Sequence, residues 1–308
     1  MKILIVGIGG VGGFFGGKLA YQYRDSDDLE IFFLARGTHL NQIQKNGLQI
    51  KHLGETYTCQ PDKASDDPEE FGKVDVIIYC TKAYGLESIA SQLEANMHSG
   101  TKVLTLLNGV DSYEKLVKMY PDHNVINGCV YILSRIESPG VIENFGQKHQ
   151  LFFGYDHQDV NELRPLEEKF QNAGISAQLS NSISEITWAK FIFISAVATS
   201  TSYYDITLGE ILADENKRKV LVQLIREVKE VGLKKQVTIA DDIEDDILNK
   251  LEKLPFETTS SMQRDFRQNK QTEVKSLTEY VILEGDKLGL ETPTYIELYK
   301  DLITRTRY

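Results

Sequence analysis

Seven of the eleven residues from Gly7 to Gly17 are glycine, and Ile3 to Val6 just before them are all Ile, Leu or Val. So apolar a run fits a short parallel strand buried on both faces. Gly7-Ile8-Gly9-Gly10-Val11-Gly12 satisfies G-x-G-x-x-G, and the residues through Leu19 and Ala20 can continue as a helix. Strand, glycine turn and helix form the context that gives this motif its meaning. Gly7 permits the tight turn, Gly9 lets the backbone approach a pyrophosphate, and Gly12 lets the helix sit close to the strand. The N–H groups at the helix start then face the anion. Gly7, Ile8, Gly9, Gly10, Val11 and Gly12 are therefore expected to bind a dinucleotide. The alternative is a glycine-rich turn used only for packing.

Bulk properties narrow the remaining classes. A chain of 308 residues is long enough for two domains. Its formal net charge of -11 argues against a nucleic-acid partner. The three cysteines, Cys59, Cys80 and Cys129, are widely spaced and form no C-x-x-C, so neither a disulfide framework nor a zinc site is expected. No cluster of His, Asp and Glu suggests another metal. The N-terminus lacks a basic region and a cleavage site, and a cytoplasmic protein is expected. The most apolar run, Phe191 to Ala198, is too short to span a bilayer, so no membrane association is expected.

Glu30 to Ala35 reads as the second strand. An NAD site usually places an acid at the end of that strand, on the adenosine ribose. Here the sequence is Ala35-Arg36-Gly37-Thr38. Arg36 can fork onto a 2′-phosphate, with Thr38 adding a hydroxyl, so NADP is the expected cofactor. A surface arginine in a turn is the alternative. Gly47 to Ile50 and Thr56 to Cys59 read as a hairpin. Val74 to Cys80 and Lys102 to Leu107 read as buried strands, followed by Lys82 and by Asn108. Ligands of open α/β sheets bind at the carboxyl ends of strands, which makes both residues candidates for cofactor or substrate. Val125 to Leu133, Leu151 to Tyr155 and Ile175 to Leu179 complete the strands, with Gly140 to Phe145 pairing between the first two. Asp159 and Glu162 resemble a capping box. From Ser180 onward the apolar spacing is helical, ending with a helix opened by Thr292-Pro293. The expected fold is α/β: an N-terminal Rossmann-type dinucleotide-binding domain over residues 1–179 and an all-α C-terminal domain over residues 180–308.

One lysine stands out in the helical half. Lys190 lies in Trp188-Ala189-Lys190-Phe191-Ile192-Phe193-Ile194, apolar almost all round. It can snorkel its ammonium to water, or it can serve chemistry. Reduction of a ketone needs a proton and a positive neighbour at the oxygen, and one ammonium supplies both. The six histidines all fall in polar or loop-like segments. Ser261 sits where a helix begins and Glu273 in a polar run; capping and solvation are their plainer readings.

Taken together, these motifs resemble the ketopantoate reductase (2-dehydropantoate 2-reductase) family. Thr81-Lys82-Ala83-Tyr84 is similar to its Lys-Ala loop and Asn108-Gly109 to its Asn-Gly strand end. Thr187-Trp188-Ala189-Lys190 is similar to its Trp-x-Lys helix; Ser260-Ser261-Met262 with Asp265, then Thr272-Glu273, resembles its Ser-Ser-Met and Thr-Glu segment. The resemblance implies NADPH-dependent reduction of 2-dehydropantoate to pantoate, in pantothenate and coenzyme A biosynthesis. It implies catalytic roles for Lys190, as proton donor, and Glu273. It assigns Asn108, Lys190 and Ser261 to a small 2-oxo acid substrate, and Arg36, Lys82, Asn108, Ser134 and Glu273 to NADP. It allows a homodimer. The family commonly has asparagines four and eight residues after the lysine, where this chain has Ile194 and Ala198. A reductase of another 2-oxo acid and a non-catalytic NADP-binding sensor are the rival readings.

Overall fold

The computed structural model describes residues 1–306. Two compact units emerge from its internal packing: Met1–Leu107 with Ser112–Ile183, and Asn108–Asp111 with the chain from Ser184 onward. The first unit runs through β1 (Lys2–Val6), α1 (Gly10–Gln22), β2 (Glu30–Leu34), α2 (Gly37–Asn46), β3 (Leu48–His52), β4 (Glu55–Cys59) and β5 (Lys63–Ser65). It continues through β6 (Val74–Tyr79), α3 (Leu86–Leu93), β7 (Met97–Thr105), α4 (Asp111–Met119), β8 (Asn124–Tyr131), β9 (Ser134–Ser138), β10 (Val141–Asn144), β11 (Gln150–Gly154), α5 (Arg164–Asn172) and β12 (Ser176–Ser180).

Eight strands form one sheet in the order β12-β11-β8-β7-β6-β1-β2-β5. From β8 to β5 all neighbours are parallel, and β11 turns antiparallel to β8. The central strands are buried on both faces, as their unbroken apolar runs require. Ile3, Ile5, Phe33 and Ile78 face the core under α1, whereas Leu4, Val6, Phe32 and Ile77 face a second core with Leu86, Ile89 and Leu93 of α3. This is the expected Rossmann-type arrangement.

A second sheet, β4-β3-β10-β9, covers the other side of α1. Leu53 and Gly54, both at positive φ, make the two-residue turn between β3 and β4, as the hairpin reading requires. The segment around Gly140 to Phe145 behaves differently from the expectation. Instead of pairing within the main sheet, β10 pairs in parallel with β3 and antiparallel with β9. The run read as Val125 to Leu133 stops at Tyr131, and Ser134–Ser138 is a separate edge strand. Nor does the Asp159/Glu162 capping box form. Asp159 accepts from the N–H of Asn161, Glu162 accepts from the Tyr155 hydroxyl, and α5 starts only at Arg164 with Pro165 in its first turn.

Helix α1 explains most of the glycines. A Cβ on Gly16 would stand 3.0 Å from Ile5 and Phe33 of the large sheet. On Gly13 it would stand 2.6 Å from Ile142, and on Gly17 2.8 Å from Ile50, both in the small sheet. The helix thus lies backbone-close to two sheets at once.

The second unit is helical: α6 (Ile183–Tyr204), α7 (Leu208–Ala213), α8 (Glu215–Lys234), α9 (Ile243–Glu252), α10 (Ser261–Arg267), a π turn (Lys275–Glu279), α11 (Tyr280–Leu288) and α12 (Pro293–Arg305). Leu221, Leu224, Ile225, Val228 and Val231 of α8 pack with Phe191 and Ile192 of α6 and with Tyr295, Leu298 and Leu302 of α12. Pro293 opens α12 as expected, but the Glu227 carboxylate, rather than Thr292, receives the N–H groups of Thr294 and Tyr295 at 3.0 and 3.1 Å. Among the described residues, no helix is long and apolar enough to cross a membrane.

Gly9 and Gly12 should separate folding from ligand binding. A Cβ at Gly12 would lie 2.2 Å from the Gly7 carbonyl oxygen, whereas one at Gly9 would meet no protein atom within 4 Å. Gly12→Ala is expected to lower stability by about 1–3 kcal/mol. Gly9→Ala should lower it by less than about 1 kcal/mol. Urea unfolding midpoints of the two variants check this.

Candidate active site

In the first unit, the expected cofactor residues cluster around the carboxyl ends of β1, β2 and β6. Gly7 takes φ +93, a left-handed conformation suited to glycine, and its N–H donates to the Leu34 carbonyl at 3.1 Å. Ile8 is buried, Val11 is half-buried, and α1 begins with no side chain capping its first N–H groups. A Cβ on Gly10 would fall 2.5 Å from the Ser134 carbonyl oxygen, and one on Gly7 2.9 Å from Thr81 Cγ2. Both neighbours also bring a hydroxyl: Ser134 Oγ and Thr81 Oγ1 are buried and find no hydrogen-bond partner among the described residues. Buried polar atoms without partners are uncommon, and a bound polar group is one explanation for them. Arg36 is the exposed N-cap of α2, with Thr38 exposed beside it. Lys82 is half-buried and precedes a short 3₁₀ turn, Ala83–Gly85. These positions suit a dinucleotide: a close-packed glycine turn, unsatisfied hydroxyls flanking it, and a guanidinium after the second strand.

The second unit contains the remaining residues. Lys190 projects from α6, half-buried, and its Nζ donates to Asn108 Oδ1 at 2.9 Å. These residues are 82 positions apart, and the contact exists because Asn108–Asp111 packs with the helices. Glu273 is buried at 3 % exposure just before the π turn. Ser261 is exposed in the first turn of α10, and its side chain bonds to none of the described residues. Capping falls to Ser260, whose Oγ accepts from the N–H of Gln263 at 3.0 Å and lies 2.8 Å from Thr201 Oγ1. The structure therefore joins Lys190 to Asn108 by a hydrogen bond and shows none from the Ser261 side chain to either.

Ile194 is half-buried and Ala198 buried on α6. The hydroxyls near them face inward. Ser195 Oγ donates to the Leu277 carbonyl and meets the Tyr295 hydroxyl at 2.6 Å, while Thr199 meets Thr278 at 2.8 Å. Residues that the sequence reading missed are Thr81, Asp111 and Ser276. Asp111 lies three positions past Asn108, 6 % exposed, and accepts from Ser276 Oγ at 3.1 Å. Thr81 carried a signal, its place in the motif with Lys82; a lone buried aspartate and serine carried none. A groove of about 620 Å³ in the first unit, lined by Lys18, Tyr21, Glu55 and Tyr57, holds none of the expected residues. No described set of three or more His, Cys, Asp and Glu side chains is placed to hold a metal ion.

The profile described as Ketopantoate reductase PanE/ApbA matches residues 3–158, and that of its C-terminal part, Ketopantoate reductase PanE/ApbA C terminal, matches residues 182–304. The chain belongs to the ketopantoate reductase family. It is 30% identical over 303 residues to an uncharacterized oxidoreductase, YkpB, of Bacillus subtilis, with 98% of each chain covered. It is 25% identical over 308 residues to a 2-dehydropantoate 2-reductase of Streptococcus pyogenes, covering 98% of this chain and 97% of the other. Among solved structures, 2-dehydropantoate 2-reductase from Porphyromonas gingivalis W83 superposes with a TM-score of 0.86 at 32% identity, covering 98% of this chain and 99% of that one. The protein is accordingly an oxidoreductase of the ketopantoate reductase family.

Proposed function

We propose that this oxidoreductase reduces a 2-oxo acid with NADPH, and that 2-dehydropantoate, giving pantoate for pantothenate and coenzyme A biosynthesis, is its substrate. The observation that carries the reading is the hydrogen bond from Lys190 Nζ to Asn108 Oδ1. It converts a flexible lysine into an aimed one. Bound NADPH supplies the hydride that reaches the carbonyl carbon. The oxygen then gains negative charge, and the Lys190 ammonium both stabilises that charge and delivers the proton. The ammonium has three N–H donors, and one of them goes to Asn108. Asn108 retains its amide Nδ2 as a donor toward substrate or cofactor. Glu273, buried in the same unit, is assigned to orienting this group, and Ser261, exposed at the start of α10, to the substrate carboxylate.

Lys190→Ala is expected to lower turnover by about 10²–10⁴-fold, the range for a positioned acid. NADPH affinity should change little, because the glycine turn is untouched. Steady-state kinetics with direct NADPH titration check both; near wild-type turnover would return Lys190 to the status of a snorkelling lysine.

NADPH rather than NADH rests on Arg36, which stands after β2 where an acid would serve NAD. Its guanidinium makes no hydrogen bond or ion pair with the described residues and is exposed, so it is available to a 2′-phosphate. The cofactor contacts are assigned to Gly7 through Gly12, Arg36, Lys82, Asn108, Ser134 and Glu273. The Michaelis constant for NADPH should rise far more than that for NADH in Arg36→Ala. An equal rise in both, or a wild-type preference for NADH, refutes the assignment.

A second reading concerns the substrate. Ile194 and Ala198 give α6 an apolar face where the family resemblance leads one to expect asparagines, and the nearby hydroxyls of Ser195 and Thr199 are consumed inside the core. An apolar wall discriminates by only about 10–200-fold per methylene, whereas a site built to bond a hydroxyl rejects its absence by about 10⁴-fold or more. Catalytic efficiency on 2-dehydropantoate should therefore exceed that on 2-oxoisovalerate, which lacks the hydroxymethyl group, by less than about 10⁴-fold. A larger preference would mean that another residue binds that hydroxyl. No NADPH oxidation with any 2-oxo acid of a panel would favour a sensor.

A further inference from the structure

The segment that aims Lys190 is itself held from behind. Gly109 sits at φ +90, which turns the chain sharply after Asn108. Val110 is buried in the apolar core of the helical unit, and Asp111 is buried against Ser276. Ser276 Oγ donates to Asp111 Oδ2 at 3.1 Å, and a Cβ on Gly109 would stand 3.6 Å from the Ser276 carbonyl oxygen. Ser276 is 5 % exposed and lies in the π turn. A π turn breaks the regular i→i−4 ladder, and in this one the Leu277 carbonyl is met by Ser195 Oγ at 2.5 Å. Ser195 lies on α6, five residues past Lys190. The contacts therefore close a ring: Lys190 to Asn108, along the turn to Asp111, across to Ser276, through Leu277 to Ser195, and back along α6.

We propose that Asp111 and Ser276 are positioning residues for the proton donor, fixing the Asn108 turn so that Asn108 Oδ1 stands where Lys190 Nζ must point. This rests on Lys190 being the proton donor. Neither residue is asked to touch the substrate. A displacement of about 1 Å at a reacting group is enough to slow catalysis about 10²-fold, so a small relaxation of the turn suffices.

The test uses the whole protein with NADPH and whichever 2-oxo acid it turns over fastest. Ser276→Ala and Asp111→Ala are expected to lower kcat by about 10–100-fold with the NADPH KM within about two-fold. Ser276→Thr, which keeps the hydroxyl, and Asp111→Asn, which keeps an acceptor, should recover most of the loss. The side-chain ¹⁵N resonance of Lys190, assigned with Lys190→Arg, should shift in Ser276→Ala and return in Ser276→Thr. That readout moves only if the lysine itself is re-aimed. Thermal melting separates loss of fold from loss of aim, and should Asp111→Ala not fold, the nearly isosteric Ser276→Ala carries the test. Unchanged kcat in Ser276→Ala and Asp111→Ala, alongside a collapsed Lys190→Ala, overturns the positioning role alone. High turnover in Lys190→Ala overturns the functional reading instead, and an unmoved Lys190 resonance in Ser276→Ala then disposes of the ring as well.

Discussion

At Gly13, Gly16 and Gly17 no side chain can stand between α1 and the two sheets that flank it. Gly16 looks onto Ile5 and Phe33 of one sheet, while Gly13 and Gly17 look onto Ile142 and Ile50 of the other. A methyl group added at Gly13, Gly16 or Gly17 would have to displace a packed isoleucine or phenylalanine side chain. The close approach fixes where the helix starts, and with it the position of the glycine turn. It also requires the small sheet, whose strands come from distant parts of the chain, to form against the same helix. The N-terminal end of α1, with no side chain capping it, is thus set by packing on both flanks.

The main sheet was legible because its strands carry unbroken apolar runs, and the helical half because Val220 to Val231 and its neighbours keep a 3.6-residue stripe. The small sheet was half legible. Its hairpin announced itself through Gly54, but β9 is exposed and polar along most of its length and offers no periodicity to read. The partnership of β10 with β3 joins residues about ninety positions apart, and nothing local encodes it. Among the candidate site residues, Arg36, Lys82 and Asn108 could be picked out because strand ends are where ligands of such folds bind. Lys190 was readable as a charge in an apolar helix. Asp111 and Ser276 were not, since a buried aspartate and a buried serine look like any others until the chain is folded.

Helix α6 resolves an apparent contradiction in its own sequence. It is rich in serine and threonine toward its C-terminus, yet Ser195, Thr199, Ser200 and Thr201 are all fully buried. Each hydroxyl is spoken for: Ser195 and Thr199 across to neighbouring elements, Ser200 and Thr201 back to carbonyls of their own helix. The polar residues therefore serve the interior of the helical unit, and the side of α6 that carries Ile194 is left to apolar contact. Burial raises the Cys59 thiol to about 12 and pushes the Cys80 thiol up, which disfavours the thiolate form of both.

The π turn at Lys275–Glu279 has a bearing on how this chain can vary in length. Such a turn accommodates one residue more than an α-helical turn does, and it commonly occurs as a single-turn bulge within an otherwise ordinary helix. In this chain the π turn opens a helix rather than interrupting one, since only Val274 is helical before it and α11 follows directly. Loss of one residue there would narrow that turn to α-helical geometry with α11 unmoved, so the change would fall on the turn itself, Ser276 and Leu277 among its residues. Descendants of this sequence can therefore lose a residue here without displacing the buried Val281 of α11, but not without redrawing the contacts of Asp111 and Ser195.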